Sequence, residues 1–204
     1  KLDDIVIYED DNFFCAFPSI VRRSDGELVV AFRRAPERRP YGGRCTHADP
    51  NAQLVLVRST DDGRTWSGAP ELIHAHAFGG SQDPCLTLLP DGTLLCASYL
   101  WVLHQPQCST GGSYDNTGWI HTFAGGYLMR SRDGGRRWEG PITPPPVPGC
   151  VGRDALGRPL PAYNRGNILT GSDGLLYWAV VRGDSLNLSG GTARTSVHLM
   201  VSAD

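Results

Sequence analysis

Short apolar runs separated by tight polar turns recur three times along the chain. The turns are Asp25-Gly26, Asp91-Gly92 and Asp173-Gly174. Asp and Gly tolerate the positive φ angles that tight turns require, so an Asp-Gly pair between two apolar runs predicts a β-hairpin. The runs show no helical period. We therefore predict three hairpins, whose first strands begin near Phe17, Asp83 and Arg165.

An octamer repeats in phase with these hairpins. Residues 59–66 read Ser-Thr-Asp-Asp-Gly-Arg-Thr-Trp, and residues 131–138 read Ser-Arg-Asp-Gly-Gly-Arg-Arg-Trp. A third copy starts at Ser202, so the copies begin 72 and 71 residues apart. A third strand is predicted before each octamer, at 53–58, 126–130 and 196–201. A short fourth strand is predicted after the first two, near 71–73 and 142.

Each repeat unit thus predicts four antiparallel strands, with units at about 13–75, 80–143 and 163–204. Four-stranded units repeated along a chain form a β-propeller, which protects its sheet edges by radial packing. We expect an all-β fold in a single domain, 1–204. Because propellers close with about four to eight blades, three units predict an incomplete ring. The remaining blades come either from further sequence, which we favour, or from a second copy of the chain.

The octamer has a structural explanation within this fold. Asp61 and Asp133 can accept backbone N–H groups across the turn, and Trp66 and Trp138 are expected to be buried between strands. The three Asp-Gly turns and the octamers are predicted at one end of the sheets. The longer connections fall at the other end, at 33–52, 74–83, 100–125, 139–164 and 182–195. Long connections on a rigid scaffold usually carry function, so we expect a binding surface there.

Composition narrows the function classes. The net charge of −2, from 19 basic and 21 acidic residues, provides no basic surface for nucleic acid. No apolar run reaches the roughly 18 residues that a membrane helix needs. Six cysteines lack C-x-x-C spacing, which argues against a zinc site. They are either disulfides or buried thiols, and Cys85 and Cys96 fit buried thiols. We expect no metal or cofactor.

Candidate ligand-binding residues lie in the long connections. Asp49 is either a general acid, if a dry pocket raises its pKa, or a turn cap before Pro50. Arg38, Arg39 and Arg44 are read as a solvated basic loop, and Arg165 either contacts a ligand or bridges to a neighbouring loop. Aromatic rings suit the apolar faces of sugars. The candidate binding residues are Arg33, Arg34, His47, Asp83, Trp101, Trp119 and Arg165.

The octamer resembles the Asp-box, Ser-x-Asp-x-Gly-x-Thr-Trp, of the sialidase superfamily, and the second copy has Arg137 in place of Thr. Ala16-Phe17-Pro18 lies where sialidases have an Arg-Ile-Pro motif. Asp49 lies where they place a general-acid Asp, and Asp83 lies in a segment like one near the sugar's acyl group. The resemblance implies a six-bladed propeller and exo-glycosidase activity on a glycan. The location is unknown from the sequence, and a secreted or periplasmic one is a guess.

One departure from the family pattern affects the expected substrate. The motif arginine, which helps to clamp the sialic acid carboxylate, is Ala16 here. We therefore expect weak or absent turnover of ordinary α-sialosides, and either another acidic glycan or a neutral one as substrate. The alternative is a propeller without catalysis that binds carbohydrate or protein.

Overall fold

The computed structural model describes residues 4–41, 49–104, 113–114, 120–154, 156–186 and 192–203. These residues form three antiparallel sheets, and their helical structure is one short 3-10 turn, η1 (Arg39–Tyr41). Sheet 1 has four strands in sequence order: β1 (Phe13–Arg22), β2 (Leu28–Pro36), β3 (Gln53–Ser59) and β4 (Glu71–Ala75). No helix in the described ranges is long and apolar enough to cross a membrane.

Sheets 2 and 3 repeat this order with local changes. Sheet 2 contains β5 (Gly79–Ser81), β6 (Cys85–Leu88), β7 (Leu94–His104), β8 (Ser113–Tyr114), β9 (Ile120–Ser131) and β10 (Glu139–Ile142). Both β5 and β6 pair with β7, so together they form one inner strand interrupted at Pro84. Sheet 3 contains β11 (Leu169–Thr170), β12 (Leu176–Leu186) and β13 (Thr192–Ser202). This architecture is consistent with a β-propeller fragment.

The three predicted Asp-Gly hairpins are confirmed. Gly26, Gly92 and Gly174 have φ angles of 90°, 87° and 81°, which a side chain would strain. The aspartate before each glycine accepts the backbone N–H two residues further on, at 2.9 to 3.1 Å. The same turn chemistry therefore joins the first two strands of each sheet.

The octamers form the tight turns that the sequence predicts. Asp61 accepts the Thr65 backbone N–H at 2.9 Å and the Thr65 hydroxyl at 2.6 Å. In the second copy, Asp133 accepts the backbone N–H groups of Arg136 and Arg137 at 3.0 and 2.9 Å. The backbone role of both aspartates is confirmed, and it survives the replacement of Thr by Arg137.

The expectation that both octamer tryptophans are buried is wrong, since both are only half-buried. Trp66 and Trp138 each donate the indole N–H to a glycine carbonyl of their own turn, at 3.0 Å. This bond holds each ring at the end of its sheet, where one side packs against a core cluster and the other meets solvent.

Two core clusters lie between the sheets. One cluster joins sheets 1 and 2 through residues such as Val29, Leu56 and Leu86. A second joins sheets 2 and 3 through residues such as Ala97, Ile168 and Val180. The free thiols Cys85 and Cys96 are buried in these clusters, as expected for small apolar side chains on strands.

In two of the predicted long loops, the described residues are strand. Within 100–125, β7 continues to His104 and β9 begins at Ile120; within 182–195, β12 reaches Leu186 and β13 begins at Thr192. Aromatic and β-branched residues favour pleated structure, and the first of these segments contains Trp101, Thr122 and Phe123. The long-connection end is therefore built from extended hairpins as well as loops.

Acid titration tests the octamer turn. Hydrogen bonds from Thr65 lower the pKa of Asp61 from its ordinary value of 3.8 to about 2. A carboxyl with a depressed folded-state pKa stabilises the fold above its unfolded pKa, and this contribution disappears as the pH falls through the folded value. Asp61→Ala is therefore expected to lower the melting temperature at pH 7, with the difference from wild type shrinking between about pH 4 and pH 2. A pH-independent difference, or none, would contradict this role.

Candidate functional site

The candidate residues lie at the end of the sheets opposite the tight turns. This long-connection end contains the β2–β3, β7–β9 and β12–β13 connections and the links between the sheets. The Ser81 backbone N–H donates to the Ala52 carbonyl at 3.1 Å, so the loop before β3 is joined to the inner strand of sheet 2. Groups from sheets 1 and 2 therefore meet at this end.

Asp49 is held by a bidentate ion pair. Its side chain is 1% exposed, and its two carboxylate oxygens accept Arg38 Nε at 2.5 Å and Nη2 at 3.1 Å. The Asn51 backbone N–H also donates to Asp49 Oδ1 at 2.9 Å, which is the predicted turn cap. Hydrogen bonding to Asp49 raises the pKa of Arg38, so the guanidinium stays charged. The expectation that Arg38 is a solvated loop residue is wrong.

A close backbone approach fixes the position of the Asp49 loop. A Cβ atom added to Gly80 would lie 1.9 Å from the Asp49 carbonyl oxygen and 3.4 Å from Ala52 Cβ. Only glycine at this position of β5 allows the loop to pack directly on the strand. The Asp49 loop is thereby tied to the segment that leads to Asp83.

Arg33 and Arg34 point to opposite faces of β2, as strand geometry requires. Arg33 is fully buried on the face that turns Val29 and Ala31 toward sheet 2. It lies opposite Ala16 in the β1–β2 register, so the large guanidinium neighbours a small side chain.

Arg34 makes its contacts on the other face of sheet 1. Its Nη2 donates to Asp10 Oδ2 at 2.7 Å, and its guanidinium lies 3.3 Å from the centroid of the Phe13 ring. The ion pair lowers the pKa of Asp10 to about 2. The two neighbouring arginines therefore do not converge on one point.

Asp83, Tyr99 and Arg165 form a second cluster. Asp83 Oδ2 accepts the Tyr99 hydroxyl at 3.0 Å and Arg165 Nε at 3.0 Å. Arg165 Nη2 in turn donates to the Tyr99 hydroxyl oxygen at 2.8 Å. Burial, followed by the neighbouring Asp83 charge, raises the pKa of Tyr99, which keeps the phenol protonated as a donor. Both roles considered for Arg165 are compatible with this geometry, because it bridges two sheets and remains 61% exposed.

Aromatic side chains adjoin this cluster. The Tyr99 ring centroid lies 5.8 Å from that of Phe123 and 6.0 Å from that of Tyr163. Phe123 also contacts Tyr163 at 4.6 Å and Trp101 at 5.3 Å. Trp101 therefore joins the cluster through Phe123, as part of one group of four rings.

The structure thus brings some predicted residues together and separates others. Asp83, Trp101 and Arg165 belong to one cluster, Asp49 lies in the adjoining loop, and Arg33 and Arg34 lie on opposite faces of sheet 1. Arg44, His47 and Trp119 lie outside the described residues. Tyr99 is not among the candidate binding residues that the sequence indicates. Its central place depends on Arg165, 66 residues away, and no local sequence signal indicates that contact.

No protein-family model matches the chain, and no curated protein matches it. A solved structure of a Dyadobacter fermentans protein of unknown function is 45% identical, with a TM-score of 0.88. It is matched over 100% of this chain and 55% of its own length, so this chain spans about half of that relative.

More distant structures share the fold. A sialidase from Streptococcus pneumoniae has a TM-score of 0.60 and 10% identity, over 98% of this chain and 44% of its own. An α-L-arabinofuranosidase of Fusarium graminearum has a TM-score of 0.54 and 16% identity, over 98% and 49%. Both are β-propeller glycosidases. The chain therefore has an all-β fold of the kind found in β-propeller glycosidases.

Proposed function

We propose that this chain is part of a sialidase-like glycoside hydrolase that acts on a glycan at the long-connection end. The observation that carries the proposal is the cluster of Asp83, Tyr99 and Arg165, which adjoins three further aromatic rings. Saccharide sites combine apolar ring surfaces with a few convergent polar groups. The shared fold with β-propeller glycosidases supports this assignment.

The three sheets are proposed to be blades of a six-bladed ring, with units at about 13–75, 80–143 and 163–204. An exposed apolar face of sheet 3 supports this proposal. Val197, Leu199 and Val201 of β13 are 76%, 63% and 51% exposed, and such a face is suited to packing against another sheet. The greater length of the 45% identical relative is consistent with further blades.

Asp49 is the proposed general acid of the reaction. Both of its oxygens accept hydrogen bonds from Arg38, so acid catalysis requires substrate binding to displace the guanidinium and Asp49 to take up a proton from solvent before donating it. The test is turnover by the full-length protein of fluorogenic arabinofuranosides, xylosides and sialosides. We expect weak or absent turnover of sialosides. On the substrate that is cleaved, Asp49→Asn is expected to reduce kcat by at least about 100-fold, because acid–base catalysis contributes that much.

Asp62→Asn is the matched control, since Asp62 lies in an exposed turn at the opposite end and has a φ of 58° that Asn tolerates. This control is expected to keep wild-type kcat. Robust sialoside turnover would show that Ala16 does not limit the substrate. Equal kcat for Asp49→Asn and wild type would exclude the proposed acid.

A propeller that binds carbohydrate or protein without catalysis is the second candidate. The bidentate Arg38–Asp49 pair favours it, because a structural ion pair needs no catalytic role. The same assays separate the two candidates. Glycan binding by the folded protein without turnover of any glycoside in the panel would favour the binding propeller.

A further inference from the structure

The cluster around Arg165 has a distinctive charge balance. The guanidinium is exposed, but Asp83, whose side chain is only 7% exposed, sits against it at 3.0 Å. A carboxylate at this distance offsets much of the cation's attraction for a second anion. The cluster therefore offers hydrogen-bonding groups without a strong net positive charge.

Two other arginines near this end are also paired with carboxylates. Arg34 is paired with Asp10 at 2.7 Å and Arg38 with Asp49 at 2.5 Å. A site that captures an acidic sugar is expected to provide arginines whose charge is available to the ligand carboxylate. In the described arginine–carboxylate pairs, the charge of each arginine is already offset by its carboxylate.

Donors and acceptors lie side by side in the cluster. Arginine carries five N–H donors, and the contacts to Asp83 and Tyr99 engage only some of those on Arg165. Asp83 Oδ1 is buried and has no hydrogen-bond partner within the described part of the chain, so a ligand hydroxyl reaches it only when binding exposes this oxygen. A hydroxyl group can accept from the guanidinium and donate to the carboxylate, whereas a ligand carboxylate can only accept.

The neighbouring rings supply the complementary apolar surface. Tyr99 belongs to the four-ring group with Trp101, Phe123 and Tyr163, and the last three are half-buried. A saccharide ring presents hydroxyls at its edge and C–H groups on its face. The combination of a charge-paired polar cluster and adjoining rings fits such a ligand.

We propose that Asp83, Tyr99 and Arg165 form a subsite for adjacent hydroxyls of an uncharged saccharide. The proposal rests on the proposed function, in which the long-connection end binds a glycan. It goes further by assigning the ligand's charge and by giving Tyr99 a positioning role. Tyr99 orients Arg165 through the hydroxyl contact, while Arg165 and Asp83 contact the sugar.

Calorimetric titration of the full-length protein tests this subsite. The probes are uncharged arabino-, xylo- and galacto-oligosaccharides, with sialyllactose as the charged counterpart. We expect an uncharged probe to bind more tightly than sialyllactose. Arg165→Gln and Asp83→Asn are each expected to weaken that binding at least about tenfold, because each removes hydrogen bonds to a charged group. Asp83→Asn should also reduce the ratio of the affinity for the uncharged probe to the affinity for sialyllactose, since Arg165 loses its countercharge.

Two further variants make the result specific. Tyr99→Phe removes only the hydroxyl. It is expected to lower the affinity for the uncharged probes, while circular dichroism shows an unchanged fold. Arg132→Gln changes an exposed arginine at the opposite end and should bind as wild type. The proposed subsite alone would be wrong if sialyllactose bound as tightly as the uncharged probes. It would also be wrong if Arg165→Gln and Asp83→Asn left binding unaltered. Failure of every probe to bind would overturn the subsite together with the proposed function.

Discussion

Arg58→Ala is expected to lower the free energy of unfolding by about 3 kcal/mol or more, because it breaks a buried ion-pair network. Arg58 is 8% exposed and contacts Glu71 through Nε at 2.6 Å and Glu27 through Nη1 at 3.2 Å. Its Nη1 also donates to the Gly134 carbonyl at 2.8 Å, within the second octamer turn. The side chain therefore links sheet 1 to the octamer turn of sheet 2.

The expected loss of stability comes mainly from Glu27 and the Gly134 carbonyl, which lose their contact with Arg58. Glu27 is 9% exposed, and without Arg58 it retains Arg23 but loses its more deeply buried cation. The Gly134 carbonyl also loses its Arg58 donor. Removing one partner of a buried pair is costly because the remaining charge and acceptor stay desolvated.

Arg22→Ala provides the control for Arg58→Ala. Arg22 pairs with Asp62 at 2.9 Å, but both side chains are about two-thirds exposed. Such a surface pair is worth less than about 1 kcal/mol, so its removal should change the unfolding free energy little. Urea unfolding of the full-length protein measures both variants. Equal effects of the two substitutions would show that the Arg58 network does not link the sheets energetically.

The turns could be predicted from sequence because their chemistry is local. Asp25 and Gly26 supply an acceptor and a positive φ within one turn, and Asp61 accepts groups only four residues away. Such contacts join residues that are close together in the sequence, and they fix the register of each hairpin. The repeat then indicated how many such units to expect along the chain.

Contacts between sheets could not be predicted in the same way. Arg165 reaches Asp83 across 82 residues, and Arg38 reaches Asp49 only after the loop before β3 has folded back. These pairs depend on how the sheets stack and how each loop closes, which no local pattern specifies. In the sequence, Arg38 therefore resembled an ordinary solvated arginine, although in the structure it forms an ion pair with Asp49, the proposed general acid.

The extended hairpins were missed for another reason. Gly125 and Gly126 within β9 resemble a loop signal, and Gly125 has a φ of 85°. The β7–β9 register shifts beside them, between Tyr99 and Trp101, so a bulge absorbs the irregularity and pairing continues. The same irregularity lies beside Tyr99, at the start of the aromatic cluster.

Gly80→Ala is expected to destabilise the protein by about 1–3 kcal/mol, the range for inserting a methyl group into a packed site. The new Cβ would lie 1.9 Å from the Asp49 carbonyl oxygen, and backbone cannot yield as a flexible side chain can. The loop must therefore move away from β5, which also weakens the Ser81–Ala52 hydrogen bond of 3.1 Å.

Gly68→Ala is the matched control, because a Cβ at that exposed glycine meets no atom within 4 Å. Thermal and urea unfolding should show a clear loss for Gly80→Ala and little change for Gly68→Ala. Saccharide binding adds a second measurement. Since Gly80 joins the Asp49 loop to the strand that leads to Asp83, its substitution should weaken glycan affinity even at temperatures where the variant remains folded. Wild-type stability and affinity in Gly80→Ala would mean that the Asp49 loop does not depend on this close approach for its position.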